Sequence, residues 1–139
     1  SWSKTYPNIR FYGKRGSSEG LEIMAAMDIV VGFYYKSVPN HLFAAPNKYY
    51  EHLMIGRPLL TTEGTPPGVK VSAENTGWAI AEGIASMRDW LSKVSDLEID
   101  DKAQNAFRLW SSRYEDYFEK AYVQKYGMYV RSLSWRWIN

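Results

Sequence analysis

One segment of the chain gathers residue types that could handle an anion. It runs from Ala45 to Leu60 and contains Pro46, Asn47, Lys48, Glu51, His52, Gly56 and Pro58. The pattern reads as a helix from about Pro46 or Asn47 to Ile55, with Gly56 where a terminating glycine belongs. The first N–H groups of a helix have no intrahelical acceptor, and they lie at the positive end of the helix dipole, so they bind phosphate. Asn47 is expected to cap this helix, and Lys48 adds a cation at the same place. Glu51 follows Lys48 by three residues and Asn47 by four, so all three can share one helix face. An anion site with a carboxylate one turn deeper suits a nucleotide. The diphosphate meets the helix end, and the carboxylate accepts hydrogen bonds from ribose hydroxyls, as carboxylates do in dinucleotide folds. The plain alternative is a capped surface helix with an exposed Lys–Glu pair, which is common in α/β proteins.

The elements that must position this segment alternate along the first half of the chain. Asn8–Gly13 reads as a short strand ending at a glycine. Ser18–Met27 reads as a helix, with Ser17 or Ser18 as N-cap. Asp28–Tyr34 is a β-branched run of the kind buried on both faces of a parallel sheet. Lys36–Ala45 is expected to be a loop, Leu59–Thr62 a strand, Glu63–Gly68 a Gly/Pro-rich loop and Gly77–Ile80 a further strand. A helix is expected over Glu82–Val94, with Ile84, Met87, Trp90, Leu91 and Val94 on one side. A longer one is expected to open at Asp100 and Asp101, whose charges suit the helix dipole, and to stop at Gly127. Met128–Asn139 reads as a strand, a short helix or an ordered tail. This order implies an α/β, Rossmann-like parallel sheet with flanking helices, ending in long C-terminal helices. Ligands of such sheets bind at the carboxyl ends of the strands, which turns attention to 13–17, 34–45 and 63–68.

The segment Pro46-Asn47-Lys48-Tyr49-Tyr50-Glu51, followed by Gly56-Arg57-Pro58 and a strand, resembles the donor-site signature of the retaining nucleotide-sugar glycosyltransferases of the GT-B fold. The flanks are similar too: Asn8–Gly13 to the family strand ending in glycine, Met27–Val31 to its strand opening with Asp, Thr76–Ile80 to its glycine-containing strand. The long final helix with Trp110 is similar to the family's closing helix. The resemblance covers roughly residues 8 to 126. It implies an incomplete half of a GT-B fold, with residues 1–99 as the donor-binding domain lacking its usual first strand. Residues 100–139 would be a helical segment docking on an absent acceptor domain, and the chain reads as a piece of a longer one. It implies that Asn47 and Lys48 hold the diphosphate of a nucleotide sugar and Glu51 its ribose, with Gly64 and Thr65 as further donor-loop contacts. Lys14 and Arg15, by their place after the first strand at the ligand edge, are candidates to touch phosphate, the plain alternative being two exposed charges. No metal or other cofactor is expected, because the helix end and basic side chains stabilise the leaving diphosphate electrostatically. Many retaining members carry a second Glu eight residues before the ribose Glu; Phe43 stands there in this chain. The catalytic groups and the acceptor site are expected to lie outside this chain.

Composition narrows the remaining classes. The net charge of +2, from 17 basic and 15 acidic residues, is too small to argue for a nucleic-acid partner. The absence of cysteine excludes disulfides and thiol chemistry and fits a reducing, cytoplasmic setting. No apolar run reaches the roughly 18 residues that span a bilayer, and Ser1–Lys14 shows no signal peptide. His41 and His52 are too few for a metal site. Gly13–Gly16 is too short for a phosphate-binding P-loop or a dinucleotide fingerprint. The aromatic residues from Trp110 onward have three readings: the core of the last helix, a docking surface for the absent domain, or, with Arg131, Trp135, Arg136 and Trp137, a peripheral contact at the inner face of a membrane. Docking is the first of these. The rival to the enzyme reading is a flavodoxin-like interaction or regulatory domain, which would want an acidic cluster at the strand ends.

Overall fold

The computed structural model describes residues 5–117 and 119–134. It is an α/β fold built on a three-stranded parallel sheet flanked by helices. The strands are β1 (Val30–Gly32), β2 (Leu59–Thr62) and β3 (Gly77–Ile80), in the order β1-β2-β3. Val30 lies opposite Leu59 and Leu59 opposite Gly77. The helices are α1 (Ser17–Ala25), α2 (Asn47–Met54), α3 (Pro66–Ala73), α4 (Ile84–Leu91) and α5 (Asp96–Leu109), followed by a helical C-terminal region. Val30, Tyr49, Leu53, Leu59, Val71 and Ala106 form the buried core, drawn from β1, α2, β2, α3 and α5. Ala106 is fully buried, so α5 is part of the sheet's own core.

Burial explains the strands. All four residues of β2 are buried, as expected of a central parallel strand covered on both faces. β1 departs from that expectation, because Val31 is 49% exposed. The cause is its place at the sheet edge. Asn8–Gly13, expected to be a strand, begins in a turn, is exposed and pairs with no strand among the described residues. Phe11 there is 77% exposed.

Several boundaries also differ from expectation, each for a local reason. Neither Ser17 nor Ser18 caps α1: the N-cap is Gly16 and no side chain caps it. The expected loop 63–68 contains the start of α3. Thr65 caps it, and Pro66 and Pro67 take its first two positions, where a fixed φ and a missing N–H do no harm. Within 36–45, Pro39–Leu42 forms a 3₁₀ turn. α4 is shorter than Glu82–Val94, and Ile84 and Leu91 on its expected apolar side are 73% and 58% exposed. α5 opens at Asp96, ahead of Asp100, because Ser95 and Glu98 form a reciprocal capping box. Gly127 does not stop the helical path. Two π-helical stretches, Trp110–Tyr114 and Glu119–Tyr126, lead into α6 (Gly127–Ser134). Trp135, Arg136 and Trp137 lie outside the described residues.

The C-terminal region is joined to α2 by aromatic contacts. Trp110 stacks on Tyr114 at 6.3 Å between centroids, and Tyr50 meets Tyr114 edge-on at 5.5 Å. Tyr117, Tyr126 and Tyr129 are exposed. No helix among the described residues is long and apolar enough to cross a membrane.

Candidate functional site

The start of α2 is open. Pro46, in extended conformation, is its N-cap, and no side chain caps the helix. Asn47 is therefore the first helical residue and does not cap, contrary to expectation. A proline at the N-cap offers neither an N–H nor a side-chain acceptor. Tyr49 N–H already donates to the Pro46 carbonyl at 3.1 Å. The N–H groups of Asn47 and Lys48 are the first-turn donors without an intrahelical acceptor.

Lys48 lies across the end of β1. A Cβ on Gly32 would come within 2.9 Å of Lys48 Cδ, so the glycine makes room for the lysine stem. Lys48 Nζ rests 3.7 Å from the Met24 sulfur, a weak acceptor, and has no carboxylate at ion-pair distance among the described residues. Glu51, half-buried one turn on, also forms no ion pair among them. It is close enough to Tyr34 to add to the burial that pushes the Tyr34 hydroxyl pKa up. The Lys48 stem thus lies against Gly32 at the carboxyl end of β1, its ammonium rests on Met24 of α1, and the Glu51 carboxylate one turn on acts on Tyr34.

The other residues singled out in the sequence are engaged elsewhere. Thr65 is fully buried, and its hydroxyl donates to the Thr62 carbonyl at 2.6 Å and accepts from Gly68 N–H at 3.4 Å. Gly64 is exposed with φ of 70° beside the Lys36 ammonium. Arg15 donates to the Tyr12 carbonyl and pairs with Glu19 at 2.9 Å at the start of α1, and Lys14 is exposed. His41 meets Tyr34 edge-on at 5.5 Å. His52 is fully buried, its Nδ1 lying 2.8 Å from the Arg57 carbonyl, and burial lowers its pKa to about 4.

Three residues at the carboxyl edge escaped the sequence reading. Lys36 donates its backbone N–H to Glu82 at 2.8 Å and pairs with Glu63 at 3.8 Å, strapping the loop after β1 across the ends of β2 and β3. Beneath this strap is a cleft of about 290 Å³ walled by Phe33, Tyr35, Ile84 and Met87. The available signal was that Glu63 and Glu82 each closely follow a strand. These two carboxylates are the nearest thing to an acidic cluster at the strand ends, and both are held by Lys36. Among the described residues, no three His, Asp or Glu side chains gather as a metal site would require.

No protein-family model, curated protein or solved structure matches the chain.

Proposed function

We propose that this chain is the donor-binding part of a glycosyltransferase of the GT-B type. It would hold a nucleoside-diphosphate sugar for transfer to an acceptor in polysaccharide or glycoconjugate synthesis. The observation that carries the reading is the α2 start. Among the described residues, two first-turn N–H groups without acceptors and a lysine without a carboxylate partner lie near the carboxyl end of a parallel strand, with a carboxylate in no ion pair one turn deeper. That is the charge order of a nucleoside diphosphate, phosphate first and ribose next.

In this reading Asn47 and Lys48 hold the diphosphate, and Glu51 accepts from the ribose hydroxyls. Gly64 lies along the donor loop, and Lys14 supplies further positive charge, while Arg15 does so only by leaving Glu19. The helix end takes up charge developing on the leaving diphosphate, so no metal is called on. The acceptor, the catalytic groups and a second domain are supplied from outside this chain. The working place of such an enzyme is the cytoplasm or the inner face of a membrane. Taken alone the chain binds donor and does not turn over.

A thermal-shift titration with UDP, GDP, ADP and their sugars tests this. A nucleotide present at a hundred times its dissociation constant stabilises by roughly 2.7 kcal/mol. The expected result is a shift with one nucleotide that disappears in Lys48→Ala and in Glu51→Ala. A non-catalytic interaction domain gives no shift with any of them, here or in a longer form of the protein carrying both domains.

A further inference from the structure

A second cavity lies away from α2, where β3, α4 and the start of α5 meet. It encloses about 640 Å³, within the roughly 300–1,000 Å³ of small-molecule sites. Its floor is a pair of indoles: Trp78 on β3 and Trp90 on α4 meet edge to face, centroids 5.3 Å apart and planes at 69°. Neither indole is fully buried. Asp89, Lys93, Glu98 and Ser86 form its polar lining. The Trp90 N–H has no acceptor among the described residues. An indole N–H only donates, and leaving it unpaired in a protein interior carries a desolvation cost that phenylalanine at the same place would avoid.

We propose that this groove is a binding site for a neutral carbohydrate, a pyranose ring or short chain of them. One face of a pyranose is a patch of C–H groups with partial positive charge, which an indole face attracts and covers. Its rim is a ring of hydroxyls that each donate and accept; the spare lone pairs of Asp89, already bonded to Lys93, and of Glu98, already bonded to Ser95, can accept, and the Ser86 hydroxyl and the remaining Lys93 N–H groups can donate. Other ligand classes fit less well. An apolar ligand would strip water from Asp89 and Glu98 with nothing in return. A polyanion would meet two carboxylates and one ammonium, and that ammonium is already paired with Asp89 at 2.7 Å. The Lys102 ammonium lies over the Trp78 ring, 5.2 Å from its centroid. The Trp90 N–H is shut off from solvent, so a ligand in the groove is held by the ring and the polar lining and not through that N–H. The inference stands on this groove alone and involves no nucleotide.

The test is a titration of the 139-residue chain, ¹⁵N-labelled at its indoles, with neutral oligosaccharides of glucose, galactose, mannose, xylose and N-acetylglucosamine. Trp78→Phe and Trp90→Phe assign the two resonances. At least one sugar series should move both, with a dissociation constant near about 1 mM. Asp89→Ala, an exposed position outside the core, should weaken that binding by about tenfold or more while the circular dichroism spectrum stays unchanged. The proposal is overturned if no series moves the resonances, or if Asp89→Ala leaves the titration unaltered. It is equally overturned if a detergent or a sulfated polysaccharide binds the groove more tightly than every neutral sugar.

Discussion

Two helices begin at the carboxyl edge of the same sheet, and they treat their first-turn donors in opposite ways. At α3 the first two positions are Pro66 and Pro67, which carry no N–H, and the third, Gly68, donates to the Thr65 hydroxyl. No donor in that turn remains for a ligand. At α2 the N-cap is a proline without a capping side chain, and among the described residues the next two N–H groups have no acceptor and Lys48 has no carboxylate partner. A helix dipole alone therefore does not make an anion site. What decides is whether the chain has already used the donors at its positive end.

The largest expected effect comes from pressing on the closed start. A Cβ on Gly68 would lie 2.2 Å from the Thr62 carbonyl oxygen, which is backbone and cannot step aside. Gly68→Ala should destabilise the fold by about 3 kcal/mol or more, at the upper end of overpacking effects, seen as a lower urea midpoint. Acid acts next, on the helix with the open start. Burial holds His52 neutral and lowers its pKa to about 4 from the ordinary 6.5. Between those values the unfolded chain takes up a proton that the folded chain refuses. This contribution is therefore whole above pH 6.5 and shrinks as pH falls towards 4, by about 3 kcal/mol in all. Denaturation at pH 7 and pH 4.5 should show the loss, and His52→Gln should reduce it. The smallest effect sharpens the contrast most. Thr65→Ala should cost about 1–2 kcal/mol as the cap is lost and leave nucleotide binding unchanged. Lys48→Ala should alter stability by less than about 0.5 kcal/mol yet remove the nucleotide-dependent shift.

The same contrast marks how far the sequence could be read. Gly56 ending α2, the apolar run of β2, and Gly77–Ile80 were legible because each depends on neighbours within a few residues. Lys48 and Glu51 on one face of α2 follow from helical spacing, so the candidate site was legible to that extent. The closed α3 start was not. Its Gly, Pro and Thr residues are what a loop would also carry, and only the hydrogen bonds from Thr65 to Thr62 and Gly68 separate the two. The capping box of Ser95 and Glu98 was within reach of pattern reading, but the acidic pair at Asp100 and Asp101 drew the boundary too late. Pairing between distant segments was the least accessible. Asn8–Gly13 has the composition of a strand, yet strand formation needs a partner, and none lies beside it among the described residues. Lys36, Glu63 and Glu82 meet only because three loops converge.

The sheet order follows the order of the chain, and this bears on how the molecule assembles and opens. The segment joining β2 to β3 through α3 is about half as long as the one joining β1 to β2 through α2. Halving a closing loop saves only about 0.6 kcal/mol of chain entropy. The shorter unit also carries the best-buried strand, so both terms favour β2–α3–β3 as the part that condenses first. The crossover holding Lys48 and Glu51 is then the last to close and the first to breathe. A ligand there would tighten the longer and later-closing of the two crossovers, and on its binding amide exchange would slow more in α2 than in β2.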